Sequence, residues 1–166
     1  MVGVVFQLIR RRLGDKWISP LFPDKAKMVR SANALPVIFA IAPVLWLVTA
    51  FLVTYGKPGF LRDPSFIPNL FIGLALVSLA NIGLTVFLQT SKKVMSARSS
   101  YDPVDRVFLK MVTGSILSEA HAIYGLVLTL LSGPILYELG FTVVTWASLW
   151  WVWKRFKQNI TSLPNR

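Results

Sequence analysis

Glu119 is the residue of this 166-residue chain whose type and position point most directly to chemistry. It stands near the middle of a long apolar stretch, where a charged carboxylate costs about 2.5–3.5 kcal/mol on insertion scales and more in simulations. Carboxyl groups in such positions are usually enclosed by neighbouring helices, and they are often functional because they can take up and release a proton. We therefore predict that Glu119 binds an ion. The alternative is that Glu119 stays protonated and only hydrogen-bonds another helix.

Spacing places two polar side chains and a stripe of small residues near Glu119. Ser115 lies one turn earlier on the same helical face, at about 100° per residue. Asn81 lies at a similar depth in the preceding apolar stretch and could donate to the carboxyl or, equally well, to a backbone carbonyl. The small residues are Gly114, Ser118 and Gly125, on a face roughly 100–140° away. Small residues at such spacings predict that another helix approaches closely.

His121 is the only histidine of the chain. It stands two positions after Glu119, which is about 200° around a helix, so the two side chains point to nearly opposite faces. A helical metal pair needs a spacing of three or four residues. The favoured interpretation is a packed or interfacial histidine, and haem shared with another subunit is the alternative.

Enzyme and cofactor chemistry is not expected. The chain has no cysteine, which excludes disulfides, thiolate metal sites and cysteine nucleophiles. The sequence has no nucleotide-binding loop, catalytic triad or metal cluster, and an isolated carboxylate has no partner acid, base or metal. We predict a protein that is not an enzyme and has no cofactor or metal.

The elements that must position Glu119 are transmembrane helices. The chain is 54% hydrophobic and only 15% charged, and its apolar residues form four long runs, at 32–54, 68–89, 107–131 and 134–153. A spanning helix needs about 20 residues to cross about 30 Å of hydrocarbon, so we predict an all-α bundle of four transmembrane helices. Glu138 falls in the first turn of the fourth run, and that helix could begin as late as Leu139.

Lysine and arginine are concentrated in the segments on one side of such a bundle. On one side, 16 of them lie in residues 1–31, in the segment between the second and third helices with the first turn of the third, and in the tail 154–166. The loops on the other side hold only 2. By the positive-inside rule both termini lie in the cytoplasm. Trp150, Trp151 and Trp153 agree, because an aromatic belt meets the headgroups there. The predicted location is the bacterial inner membrane or an equivalent membrane.

The net charge of +11 suggests contact with anionic lipid headgroups. Nucleic acid is not expected, because the basic residues lie between apolar runs and form no continuous water-facing surface. In residues 1–31, a helical spacing of Val2, Phe6, Ile9 and Leu13 is typical of a short amphipathic helix at the membrane surface. A basic tail that only sets the topology is the equal alternative.

The residues from Glu119 onward form a motif, Glu119-Ala120 followed by Ile123-Tyr124-Gly125-Leu126-Val127. This motif resembles the ion-carrying helix of the proteolipid c subunit of rotary ATP synthases. In that family the helix follows a small-residue helix and a basic polar loop, and here Arg98 stands 21 residues before the carboxylate. The resemblance covers roughly residues 68–133. It implies that Glu119 is the ion-binding carboxylate and that Tyr124 and the nearby small residues support the site.

Three functions are consistent with the sequence. In the first, Glu119 binds a proton or sodium ion within a membrane translocation or energy-coupling complex. In the second, the protein is a non-catalytic accessory or assembly subunit that docks on other membrane subunits. In the third, which we rank last, it is a small proton-coupled exporter working as a homodimer.

Overall fold

The structure is a computed structural model, and it describes residues 25–55, 64–91, 103–132 and 134–163. It contains four helices: α1 (Lys25–Thr54), α2 (Ile67–Thr90), α3 (Pro103–Ser132) and α4 (Leu136–Thr161). A short 3-10 turn, Pro64–Phe66, leads into α2. The predicted all-helical architecture is confirmed in this part of the chain. The suggested amphipathic helix over Val2–Leu13 lies outside the described residues.

Three of these helices are long and apolar enough to cross a membrane, within the part of the chain that the structure describes. They are α1 from Ala32 onward, α2, and α3 as far as Leu131. Proline opens two of them, at the second residue of α2 and the first of α3, where a missing N–H breaks no helical hydrogen bond. By length and composition, these three helices are consistent with an integral membrane protein.

The helices extend further than the apolar runs. α1 begins at Lys25, before the first run, and α4 continues through the basic residues to Thr161. A physical reason for the extension of α4 is that three of its cations lie over tryptophan rings one turn earlier, at the helical spacing of four residues. The pairs are Lys154 on Trp150 at 5.3 Å, Arg155 on Trp151 at 5.4 Å and Lys157 on Trp153 at 5.0 Å.

Helix α3 is the centre of the bundle. It packs against all three other helices and most extensively against α4, whereas α1 and α2 pack on α3 rather than on each other. Only 11% of the apolar span is buried in α1 and in α2, compared with 44% in α3. The remaining apolar faces of α1 and α2 point outward, as they would toward lipid or another membrane subunit.

A hydrophobic cluster closes one end of the bundle. Its members come from the beginning of α1, the beginning of α3 and the end of α4: Ala32, Val104, Met111, Val152 and Phe156. The chain therefore enters α1 and leaves α4 at the same end. Next to it, Lys110 donates from Nζ to the carbonyl oxygen of Ser91 at 3.0 Å, which holds the end of α2 against α3.

Candidate functional site

Glu119 lies near the middle of α3, as predicted, and its side chain is half-buried. Within the described residues no hydrogen bond or ion pair reaches its carboxyl group. Ser115, one turn earlier, and Ala122 on the same face are buried, whereas Ile116 and Ile123 are exposed. Glu119 thus stands at the border between the packed face of α3 and its outward face.

The other side chains predicted to support Glu119 make hydrogen bonds elsewhere. Ser118 is fully buried, and its hydroxyl donates to the carbonyl oxygen of Gly114 at 2.8 Å. Asn81 donates from Nδ2 to the hydroxyl oxygen of Tyr124 at 2.9 Å. The structure therefore brings Asn81 and Tyr124 together across the α2–α3 interface, and neither bonds to Glu119. Their role in ion binding stays a prediction.

His121 is packed in the α2–α3 interface, which confirms the favoured interpretation of this residue. It is 1% exposed, and its Nδ1 lies 2.7 Å from the hydroxyl oxygen of Ser78. Its ring meets that of Tyr124 edge to face, with centroids 6.2 Å apart. Together with the Asn81–Tyr124 bond this makes two polar connections between two apolar helices. Such interhelical bonds contribute about 0.6 kcal/mol each on average in membranes.

Glu138 is a second carboxyl group, and it is the more deeply buried of the two. It stands in the first turn of α4, which begins at Leu136, and its exposed fraction is 0%. The hydroxyl of Thr142 donates to Glu138 Oε1 at 3.4 Å, a long and therefore weak hydrogen bond. Oε2 is enclosed and has no hydrogen-bond partner in the described structure.

The turn between α3 and α4 is held by a hydroxyl group beside Glu138. The backbone N–H of Glu138 donates to Thr129 Oγ1 at 3.1 Å, and the Thr129 hydroxyl donates to the carbonyl oxygen of Pro134 at 3.3 Å. Because Thr129 uses its only hydrogen on Pro134, it has none to offer the Glu138 carboxyl. These bonds fix where the Glu138 side chain enters the interface.

Gly125 provides the space that the Glu138 side chain occupies. A methyl group on Gly125 would lie 2.7 Å from Glu138 Oε2, 2.9 Å from Glu138 Cα and 2.9 Å from Phe141 Cβ. A methyl group on Gly114 would lie 2.7 Å from Gln89 Nε2 and 3.0 Å from Val152 Cγ2. The predicted close approach of a neighbouring helix to this stripe is confirmed.

The protonation state of Glu138 follows from a comparison of two energies. The amino end of a helix favours a negative charge by about 0.3–1 kcal/mol at a surface, and up to about 2 kcal/mol when partly buried. Removing a carboxylate from water costs several kcal/mol unless a cation or several hydrogen bonds compensate it. Because the Glu138 carboxyl has only one weak hydrogen bond among the described residues, the cost of desolvation exceeds the stabilisation by the helix end. The surroundings of Glu138 therefore favour the neutral acid.

The sequence alone indicates no chemistry for Glu138, because this residue stands at the edge of an apolar run, where a charge usually marks the end of a helix. A usable signal was nevertheless present. Glu138, Thr142 and Thr145 recur at spacings of four and three residues, which places all three on one face of α4. All three are buried. A polar stripe on an otherwise apolar helix predicts a face turned toward protein.

Within the described residues, no group of three histidine, aspartate or glutamate side chains could hold a metal ion. No protein-family model, curated protein or solved structure matches the chain.

Proposed function

We propose that the protein is a multi-pass membrane subunit that binds a proton on Glu119, within a translocation or energy-coupling complex. The observation that supports this proposal best is a half-buried carboxyl at the middle of α3, with no partner among the described residues. A carboxyl in that position has to be neutral or receive a partner from another subunit, since a bare charge inside the membrane is costly. The resemblance of the motif at Glu119-Ala120 to proteolipid c subunits points to the same residue.

A proton is favoured over sodium by the surroundings of Glu119. A bound metal cation takes several oxygen ligands at once. The hydroxyl of Ser118 is engaged with Gly114, and the side chains of Asn81 and Tyr124 are engaged with each other. Apart from the Ser115 hydroxyl one turn earlier, a sodium site at Glu119 would therefore need oxygen ligands from a second copy of the chain or from another subunit.

In this proposal α4 is the fourth span and both termini lie in the cytoplasm of a bacterium or an equivalent compartment. At about 1.5 Å per residue, the 26 residues of α4 reach about 39 Å. The hydrophobic cluster that joins the start of α1 to the end of α4 agrees with an even number of spans. The distribution of 16 basic residues on one side against 2 on the other gives the orientation.

An accessory or assembly subunit is the second candidate, and the basic end of α4 favours it. Lys154, Arg155 and Lys157 are exposed and lie over tryptophan rings. Such a surface suits anionic lipid headgroups or an acidic membrane partner. The outward apolar faces of α1 and α2 are available to other membrane subunits or to a second copy of the chain.

Carbodiimide labelling in native membranes tests the proton-binding role. Carbodiimides react with protonated carboxyl groups in apolar surroundings, so Glu119 of the wild type should be labelled at neutral pH. Glu119→Gln should remove the labelled peptide, and Glu138→Gln is the matched control that should keep it. If sodium protects Glu119 from labelling, the bound ion is sodium and not a proton. Absence of label at every pH, with Glu119→Gln assembling normally, would contradict ion binding.

The same membranes separate the two candidate functions. Purification in mild detergent from cells expressing wild type or Glu119→Gln shows which subunits remain attached. An accessory role predicts that both proteins retain the same foreign subunits and that the activity of the complex is unchanged. An ion-binding role predicts the same subunits with loss of ion-coupled activity.

A further inference from the structure

Glu138 and its surroundings form an enclosed site that the proposed role of Glu119 does not use. Gly125 of α3 lies on one side of the carboxyl group and Thr142 of α4 on another. Gly125 stands six residues after Glu119, which is about 9 Å along α3 at 1.5 Å per residue. The two carboxyl groups therefore occupy different depths of the bundle and are different sites.

No described cation is near Glu138. On α4 the first basic residue, Lys154, follows 16 residues later, about 24 Å along the helix. On α3, Lys110 precedes Gly125 by 15 residues, about 22 Å. Helix α2 has no ionisable side chain in Ile67–Thr90, and the described basic residues of α1 lie in its first turns. Lys57 and Arg62 lie outside the described residues.

The other titratable groups on the packed helices are bonded elsewhere or uncharged. His121 is paired with Ser78, and the hydroxyl of Tyr124 accepts from Asn81. Tyr137, next in sequence to Glu138, packs its ring on Phe71 with centroids 5.6 Å apart. None of these groups supplies a charge to balance a carboxylate at Glu138.

The packing also excludes a hydrated ion. Oε2 is so close to Gly125 that even a methyl group on that residue would stand only 2.7 Å away. The Thr129 hydroxyl bonds to Pro134, and Thr142 reaches only Oε1. A metal ion would therefore find one carboxyl group and few other oxygen ligands, whereas a proton needs no additional space.

We propose that Glu138 is a second proton-binding site, occupied by a proton in the packed bundle and enclosed between Gly125 and Thr142. This inference is independent of the role of Glu119. Because the neutral acid is the form that matches the α3–α4 interface, an ionised Glu138 would have to leave it or draw in water or a cation. The site therefore links the presence of one proton to the contact between these two helices.

Infrared spectroscopy of the protein in lipid nanodiscs at neutral pH tests the proposal. A protonated carboxylic acid has a C=O stretch that is separate from the carboxylate bands. The chain contains only two glutamates, Glu119 and Glu138, so uniform ¹³C labelling of glutamate shifts only their bands. In Glu119→Gln, the only glutamate signal left belongs to Glu138. We expect a protonated C=O band in Glu119→Gln that moves on ¹³C labelling and is lost when Glu138→Gln is added.

The outcomes are distinct. Carboxylate bands alone in labelled Glu119→Gln would overturn the proposal, because Glu138 would then be charged. A protonated C=O band of the Glu119→Gln protein that persists unchanged in the double variant would overturn it as well, because that band would then belong to another group. The single Glu119→Gln protein suffices for the decision if the double variant does not fold. Failure of carbodiimide to label Glu119 would leave this result unaffected, since the two experiments report on different residues.

Discussion

Glu119 and Glu138 lie on adjacent helices of one bundle, and their carboxyl groups have different surroundings. Glu119, in the middle of α3, is half-buried between a packed face and an outward face. Glu138, in the first turn of α4, is 0% exposed and faces Gly125 and Thr142. Position along an apolar segment therefore does not determine burial. Burial of the carboxyl group depends instead on the glycine of the partner helix, Gly125, because it decides how closely the two backbones approach.

The difference between the two carboxyl groups suggests different roles. A half-buried group at the border of the bundle can exchange its proton with a neighbouring subunit or with water that reaches the outward face. A group closed in by two helices can exchange only when those helices separate. Substitutions at the helix contacts test this difference, and the strongest effect is expected where α3 meets α4.

Gly125→Ala is expected to be the most damaging of these substitutions, because the new methyl group would collide with the backbone and side chain of Glu138 and with Phe141. Overpacking of this kind costs typically about 1–3 kcal/mol, and we expect the upper end because a Cα atom cannot move aside. Reversible unfolding in mixed detergent micelles, followed by circular dichroism, measures the loss. Gly140→Ala is the control, since nothing lies within 4 Å of a methyl group there. Equal stability of the two variants would contradict the close α3–α4 contact.

Gly114→Ala should cost less, about 1 kcal/mol, the low end of the overpacking range. The nearest atom to the new methyl group is Gln89 Nε2, at 2.7 Å, which belongs to the end of a flexible side chain. Gln89 donates from Nε2 to the carbonyl oxygen of Lys110 at 2.7 Å, and that bond should weaken. The same unfolding assay applies, with Gly73→Ala as the control in open space. A cost above that of Gly125→Ala would reverse the assignment of the tightest contact.

Ser78→Ala should remove about 0.6 kcal/mol, the average for an interhelical hydrogen bond in a membrane, because His121 loses its partner. A double-mutant cycle with His121→Ala isolates this interaction. Val77→Ala, at an exposed position of the same helix, is the control and should have little effect. A coupling free energy of zero would show that the Ser78–His121 bond adds nothing to the α2–α3 contact.

Glu138→Gln should change the free energy of unfolding least, by about zero, because glutamine has nearly the shape of the neutral acid and also no charge. Glu138→Lys should be severely destabilising in the same assay, since it places an unpaired cation where the surroundings favour a neutral group. If Glu138→Gln were as damaging as Glu138→Lys, a charged carboxylate with a missing partner would be the better explanation.

The helices were predictable from the sequence because each is a long apolar run, and run length alone indicates a membrane helix. Their ends were less predictable. The extension of α4 to Thr161 depends on side chains such as Lys154 and Arg155 packing over tryptophan rings, which hydropathy does not measure. The close approach at Gly125 was predicted from spacing, whereas its partner on α4 was not.

The site was predictable only in part, for a physical reason. Placing Glu119 at the middle of α3 requires only a count of residues. Pairing Asn81 with Tyr124 and Ser78 with His121 requires the relative rotation and offset of α2 and α3, and a single sequence contains neither. Predicting the Glu138 site requires knowing which face of α4 meets Gly125. Helices α3 and α4 are separated by a turn whose geometry depends on Thr129.

Nuclear magnetic resonance of protein labelled with ¹³C at the glutamate side-chain carboxyl, in lipid bilayers, reads the protonation of both residues in one sample. The chain gives two such signals, and Glu119→Gln and Glu138→Gln assign them. We predict that both signals lie at the acid position at neutral pH while the bundle is folded. Two signals at the carboxylate position at neutral pH would contradict proton binding at both residues.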